Sequence, residues 1–253
     1  IEPGVPDGTC QQCRAGRYNL CPNVRFFGTP PIDGAFTNYV TILSDFAYTL
    51  PDQMSDEEGA LIEPLSVGLW ACRKAKLRGG DHILITGAGP IGMLAMKVAL
   101  ALGVAEITIT DVSPQRLEMA RTLGATRTVN VAQHSLADEL VAADVLIECS
   151  GNPRALGDGI RALRPAGIAV AVGMGPGEEA SLPMAFMQNH EITLTGTFRY
   201  ANTYQDAIAL VASGRVDLKP IITGHYTLAE AEQALQATRS DPANIKSVVL
   251  PRG

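Results

Sequence analysis

Three groups of residues in this 253-residue sequence have types and spacings suited to chemistry. The first is Glu63 in ALIEPLSVG, residues 60 to 68, where a carboxylate breaks an apolar run and is followed at once by Pro64. An ionised carboxylate in apolar surroundings is costly unless it is ion-paired, hydrogen-bonded or beside a metal. Most such residues are structural, and on this stretch alone an ion-paired or helix-capping Glu is favoured over a site residue. The second group is Cys10, Cys13 and Cys21 in DGTCQQCRAGRYNLC, with two residues inside the first pair and seven before the third. Close Cys spacing lets one loop supply ligands to tetrahedral zinc. Asp7, the same two-residue gap ahead of Cys10, offers a harder fourth ligand. Three reduced thiols with no metal are the alternative.

The third group is Gly87-Ala88-Gly89-Pro90-Ile91-Gly92, a G-x-G-x-x-G pattern that leaves an apolar run and opens a helical one. Gly87 permits the tight turn, Gly89 lets backbone approach a pyrophosphate, and Gly92 lets the helix pack closely on the strand. The helix N-terminus then presents unpaired N–H groups to the phosphates. Asp111 stands nineteen positions beyond Gly92, at the end of the next expected strand. A carboxylate there accepts from the adenosine ribose and repels a 2′-phosphate. Val112 and Ser113 add no positive charge, so NAD is expected over NADP, with Arg116 along the adenosine side.

The elements that must hold these groups follow from the pattern of apolar residues. Residues 1 to 50 are rich in Pro, Gly and polar residues, with a β-like piece, AFTNYVTIL, over 35 to 43. From about residue 80 apolar runs alternate with helical patterns. HILITG (82 to 87), EITIT (106 to 110), DVLIECS (144 to 150), GIAVAVG (167 to 173) and EITLTGT (191 to 197) read as strands. Helices are expected over 90–102, 114–123 and 153–163, the second capped by Ser113 with Pro114 at its first position. This alternation predicts an α/β fold with a mostly parallel, doubly wound sheet. A helix near 203–213, a short one near 228–238 and the strand IKSVVL (245 to 250) follow.

Frequent Gly (25) and scarce aromatics (5%) suit tight α/β packing. The net charge of −6, with Lys and Arg scattered, argues against nucleic acid as a partner. The best apolar stretch, 91 to 105, is too short to span a bilayer and carries Lys97. The start lacks both Met and a signal-peptide core, and reads as an internal point of a longer chain. Five cysteines, three within twelve residues, fit a cytoplasmic metal site better than a disulfide framework. Cys72, inside a helix, and Cys149, at a strand end, read as packing, and His82, His134, His190 and His225 show no ligand spacing.

Together these residues resemble the zinc-containing medium-chain dehydrogenases, and within them the polyol branch of sorbitol and xylitol dehydrogenases. The resemblance covers essentially the whole chain and is carried by GRYNLCP (16 to 22), TPPIDGA (29 to 35), ALIEPLSVG, GAGPIGM (87 to 93) and TFRYANT (197 to 203). It implies a partial GroES-like, β-rich catalytic domain over 1–64, a Rossmann-type NAD-binding domain over 65–197, and a return to the catalytic domain over 198–253. It also implies a structural zinc at Asp7, Cys10, Cys13 and Cys21, with Asp7 standing where family members carry a fourth Cys. The catalytic zinc of the family is held by a Cys and a His-Glu pair that would precede Ile1. The chain is therefore expected to be an N-terminally truncated fragment, inactive as it stands.

By the same resemblance Glu63 faces that catalytic zinc, directly or through its water. Arg199 and Tyr200 join it in contacting the polyol and the zinc-bound water, and Phe26 lines the substrate channel. Pro90, Ile91, Asp111, Arg116, Val172, Gly173, Met174, Thr197, Phe198 and Arg199 match cofactor contacts. A homo-oligomer, tetramer or dimer, through the nucleotide domain is implied as well. The chemistry explains why a metal is wanted. A carboxylate of pKa about 4.3 is a poor base for an alcohol near 16, a mismatch of about 12 units or roughly 16 kcal/mol. Zinc lowers the pKa of bound water by about nine units, and a bound alcohol should respond similarly. A zinc-free reductase of the same superfamily, of the quinone-reducing kind, and a non-catalytic NAD-binding module are the competing readings.

Overall fold

The computed structural model describes residues 1–139, 141–175, 177 and 179–251. Its main feature is one parallel sheet of β1 (His82–Thr86), β2 (Glu106–Asp111), β3 (Arg127–Asn130), β4 (Ala143–Glu148), β5 (Leu163–Ala171) and β6 (Thr193–Gly196). The spatial order is β3-β2-β1-β4-β5-β6, with every neighbour parallel. Side chains alternate between the faces of a strand, yet Ile83, Leu84 and Ile85 are all 0% exposed. Both faces of β1 are therefore covered, as a doubly wound sheet requires. The chain order reverses between β1 and β4, which is where such sheets take ligands, at the carboxyl ends of their strands.

Helices α1 (Pro90–Ala101), α2 (Pro114–Thr122) and α3 (Pro153–Arg161) follow β1, β2 and β4. Each opens on a Pro, whose missing N–H costs nothing in the first turn. Ser113 and Asn152 cap the second and third by accepting from the N–H groups of Arg116 and Arg154. Leu84, Leu146, Ile160, Leu163 and Ala169 form the centre of a buried cluster between α3 and the sheet.

A 19-residue helix, Asp56–Lys74, carries Glu63. Ser55 and Glu58 cap its start reciprocally: the Glu58 N–H donates to Ser55 Oγ and the Ser55 N–H to Glu58 Oε2. Three acidic residues in the first turn and Arg73 with Lys74 in the last match the helix dipole. Pro64 lies in the helix interior, where it removes a donor at a cost of about 3 kcal/mol. Further along, a Cβ at Gly68 would lie 2.8 Å from the Ala95 nitrogen, so the helix approaches α1 at backbone distance.

The chain divides into two compact units, residues 67–197 and residues 1–66 with 198–253. In the second of these, β7 (Ile222–Thr227) and β8 (Lys246–Leu250) pair in parallel, with the helix Ala231–Ser240 between them in sequence. Gly4–Val5 pairs antiparallel with Arg25–Phe26, and the helix Tyr204–Ala212 follows the TFRYANT segment. Among the described residues no helix is long and apolar enough to cross a membrane.

Several expectations require correction. AFTNYVTIL forms no strand; Phe36, Tyr39, Val40 and Leu43 are exposed, and with no strand beside it an alternating pattern has nothing to pair with. β5 begins at Leu163 and α3 ends at Arg161, so the strand expected at 167 starts earlier, through an irregularity where Ala166 takes φ +62. The strand Arg127–Asn130 is short and polar and Ile222–Thr227 exposes alternate residues, and neither is among the expected strands; the helix expected around Cys72 extends back to Asp56, past Pro64 and two Gly.

Candidate functional site: a dinucleotide cradle and a carboxylate–phenol–guanidinium group

The unit 67–197 holds the cradle. Gly87 takes φ +92, and a Cβ there would lie 2.9 Å from the Ser150 nitrogen. A Cβ at Gly92 would lie 1.9 Å from the Gly87 carbonyl oxygen, so only hydrogen fits where α1 meets the turn. At Gly89 a Cβ would meet nothing within 4 Å, leaving the backbone bare at the N-terminus of a 12-residue helix. That is the shape a pyrophosphate needs. Asp111 closes β2 and accepts from the Ala88 N–H (2.7 Å) and the Ser113 N–H (2.8 Å), which fixes its carboxylate beside the glycine turn. Arg116 lies half-buried in the first turn of α2. Beyond β5 the N–H groups of Val172 and Gly173 both donate to the Glu148 carbonyl at 2.9 Å, and Met174 is 88% exposed. The Thr197 N–H donates to the Ala171 carbonyl at 3.0 Å. These residues fit NAD as the bound group.

The other unit brings Glu63, Tyr200, Arg199, Phe26 and Phe198 together. Tyr200 donates to Glu63 Oε1 at 3.0 Å. Burial raises the Glu63 pKa above the usual carboxylate range, while Tyr200, Lys246 and Arg199 pull it back. Burial, with the Glu63 charge next to it, also raises the Tyr200 phenol. The Arg199 guanidinium lies 4.0 Å from the Phe26 ring centre and 4.8 Å from that of Phe198. Its Nη1 is buried without a hydrogen-bond partner, and its backbone takes φ +51. A donor left unpaired and a non-Gly residue in the left-handed region both cost energy, which suits a group waiting for a hydroxyl-rich ligand. Glu63 is a single metal donor here; among the described residues it joins no cluster of three.

That cluster is the cysteine lobe. The ligand atoms of Asp7, Cys10, Cys13 and Cys21 lie within 4.8 Å of one another. Cys10 caps a short helix by accepting from the Cys13 N–H, which lowers its pKa. Burial and the neighbouring sulfurs push Cys13 up to about 12. Asp7 is held low, chiefly by the Cys10 N–H, with Asn23 and Thr9 adding to it. The four donors fit one zinc ion. Cys72 is buried, with its Sγ 3.7 Å from the Ala95 carbonyl. Of the histidines, His82 meets Thr108 and His190 stacks on Phe186.

A polar network in the same unit was not foreseen. Glu2, 1% exposed, accepts from Tyr18 (2.8 Å) and Tyr48 (2.9 Å). Tyr48 stacks on Tyr204, which packs against Tyr200, and Tyr204 donates to the Ile1 carbonyl. Asn19 donates to the Phe198 carbonyl and Tyr18 accepts from the Asn202 N–H, so the GRYNLC loop is tied to the segment that carries Arg199. The hydrogen-bonded pairs are 16 to 203 positions apart in sequence and leave no local signal. Glu148 was also missed, although a carboxylate closing an apolar strand is the same anomaly that singled out Glu63.

A family model described as zinc-binding dehydrogenase matches residues 90–213. The sorbitol dehydrogenase of Bacillus subtilis is 42% identical over 242 residues, which is 93% of this chain and 69% of that one. The chain belongs to the zinc-binding dehydrogenase family. The D-xylulose reductase of Saccharomyces cerevisiae is likewise 42% identical to this dehydrogenase chain, over 98% of it and 73% of the reductase. Among solved structures, L-idonate 5-dehydrogenase from Escherichia coli superposes with a TM-score of 0.92 at 32% identity, over 99% of this chain and 74% of that one.

Proposed function

We propose that this dehydrogenase chain serves the zinc-dependent oxidation of a polyol of the sorbitol or xylitol class, passing hydride from a secondary alcohol to NAD and leaving the ketose. The unit 67–197 binds the cofactor: the Gly87–Gly92 turn takes the pyrophosphate, Asp111 the adenosine ribose, and Val172 to Met174 with Thr197 the far half. The other unit binds the alcohol. Arg199 directs several N–H groups at vicinal hydroxyls, with Phe26 and Phe198 holding its plane. Glu63 faces the catalytic zinc, and the Tyr200 hydroxyl at 3.0 Å holds Oε1 in place. Zinc, when bound, acidifies the substrate hydroxyl so that it approaches an alkoxide. Glu63, its own pKa raised by burial, carries the released proton outward. Asp7, Cys10, Cys13 and Cys21 hold a second, structural zinc. By family resemblance the protein works as a homo-oligomer, and its free thiols suit a cytoplasmic setting.

The observation that carries this reading is the Glu63–Tyr200 pair in the unit where Arg199 Nη1 is buried and unpaired. A zinc-free quinone reductase or a non-catalytic NAD module needs neither. The test is NADH formation across a panel of polyols, simple alcohols and quinols, in the chain completed to the full length of its relatives, with and without chelator. Polyol-dependent NADH formation that chelation abolishes is the expected result. Activity that survives complete zinc removal would favour the zinc-free enzyme.

A further inference from the structure

We propose that Glu148 is a positioning residue that sets the floor for the nicotinamide half of the cofactor, an inference that rests on the NAD-binding reading of the unit 67–197. Glu148 is the last residue of β4 and 3% exposed. Its Oε1 accepts from the Ser150 N–H (2.7 Å), the Gly151 N–H (3.0 Å), the Ser150 hydroxyl and the Thr86 hydroxyl (3.4 Å). Its backbone carbonyl accepts from Val172 and Gly173. One residue therefore holds the turn after β4 with its side chain and the turn after β5 with its backbone, and reaches β1 through Thr86.

The glycines show how little slack remains between these turns. A Cβ at Gly173 would lie 2.2 Å from the Gly151 nitrogen, and one at Gly175 would lie 1.9 Å from the Gly151 oxygen. A Cβ at Gly87 would strike the Ser150 nitrogen at 2.9 Å. The pyrophosphate turn, the Ser150–Gly151 turn and the Val172–Gly175 turn are thus stacked backbone on backbone. Displacing the Ser150–Gly151 turn displaces the Val172–Gly175 turn packed on it, while the Gly87–Gly92 turn keeps its own tie to Asp111 through the Ala88 N–H. Asp111 closes β2, on the opposite side of β1 from β4 and β5. A dinucleotide lying across the switch point puts its adenosine over β2 and its nicotinamide over β4 and β5. Loss of the Glu148 acceptor should then weaken one half of the cofactor site and spare the other.

Calorimetric titration of the 253-residue chain with NADH and with AMP tests this. Glu148→Ala should lose about tenfold in NADH affinity, the scale of removing one acceptor from buried donors, and keep AMP affinity unchanged. Glu148→Gln retains an oxygen for the same N–H groups and should bind NADH like the parent. Should Glu148→Ala not fold, Glu148→Asp carries the same test, because one methylene fewer withdraws the acceptor from Ser150 and Gly151. Unchanged NADH affinity in the Ala or Asp variant, or equal losses for NADH and AMP, would overturn the role given to Glu148 alone. A parent chain that binds neither ligand would overturn the NAD reading and this inference with it.

Discussion

Asp111 is the single side chain to which the proposed function assigns cofactor choice. Both its oxygens already accept backbone N–H groups, so the carboxylate is fixed before any ligand arrives. Asp111→Ala should relax the preference for NAD over NADP by about tenfold, the charge repulsion having gone; an unchanged ratio of the two affinities would contradict the ribose assignment. Glu2 makes a different prediction. Burial raises its pKa above 4.5 while the Tyr18 and Tyr48 hydroxyls oppose the shift, and the Ile1 amino group is the other charge facing it. A raised carboxyl pKa favours the protonated folded state, so its contribution is fully present below the unfolded pKa and is lost as pH rises through the folded value. Glu2→Gln, uncharged throughout, should flatten the decline in stability as pH rises from 4.5, measured by urea unfolding; an identical slope would remove Glu2 as its source. Asp111 was legible because a strand-turn-helix motif fixes its place. Glu2 was not, because its partners Tyr18 and Tyr48 are brought to it only by the fold.

At the level of elements, the glycine turn and α1 act as one rigid part. Gly92→Ala would drive a Cβ to 1.9 Å from the Gly87 oxygen, so α1 must move away from β1. Overpacking of this kind costs about 1–3 kcal/mol. The variant should therefore unfold at a lower temperature and bind NADH more weakly; parent-like values for both would mean the turn is not built as described. Sequence made β1, β2 and β4 readable because their buried runs are continuous and β-branched. The same reasoning failed for 35–43, whose alternation looks like a half-buried strand but whose Phe36 and Tyr39 stay exposed. For the helix Asp56–Lys74 it reaches only the part around Cys72, because Pro64 argues for a break upstream, whereas the Ser55–Glu58 box with flanking turns keeps the helix whole.

For the whole molecule, the proposed division of labour follows the two units, with most of the proposed cofactor residues in 67–197 and the Glu63 group and cysteine lobe in the other. The lobe is tied by Asn19 and Tyr18 to the segment carrying Arg199, so metal occupancy should influence how firmly that segment is held. Asp7→Cys replaces a hard ligand with a thiolate and should raise zinc retention against chelator by about tenfold and lift the melting temperature. Equal retention would mean Asp7 is not a ligand. The most direct measurement compares Glu63→Ala with the parent in the chain completed to its relatives' full length, assayed on the polyol panel. Turnover should fall by about a hundredfold or more, as expected for losing a proton-transfer group, while NADH affinity stays the same. Parent-like turnover in that variant would contradict the placement of Glu63 beside the reacting hydroxyl.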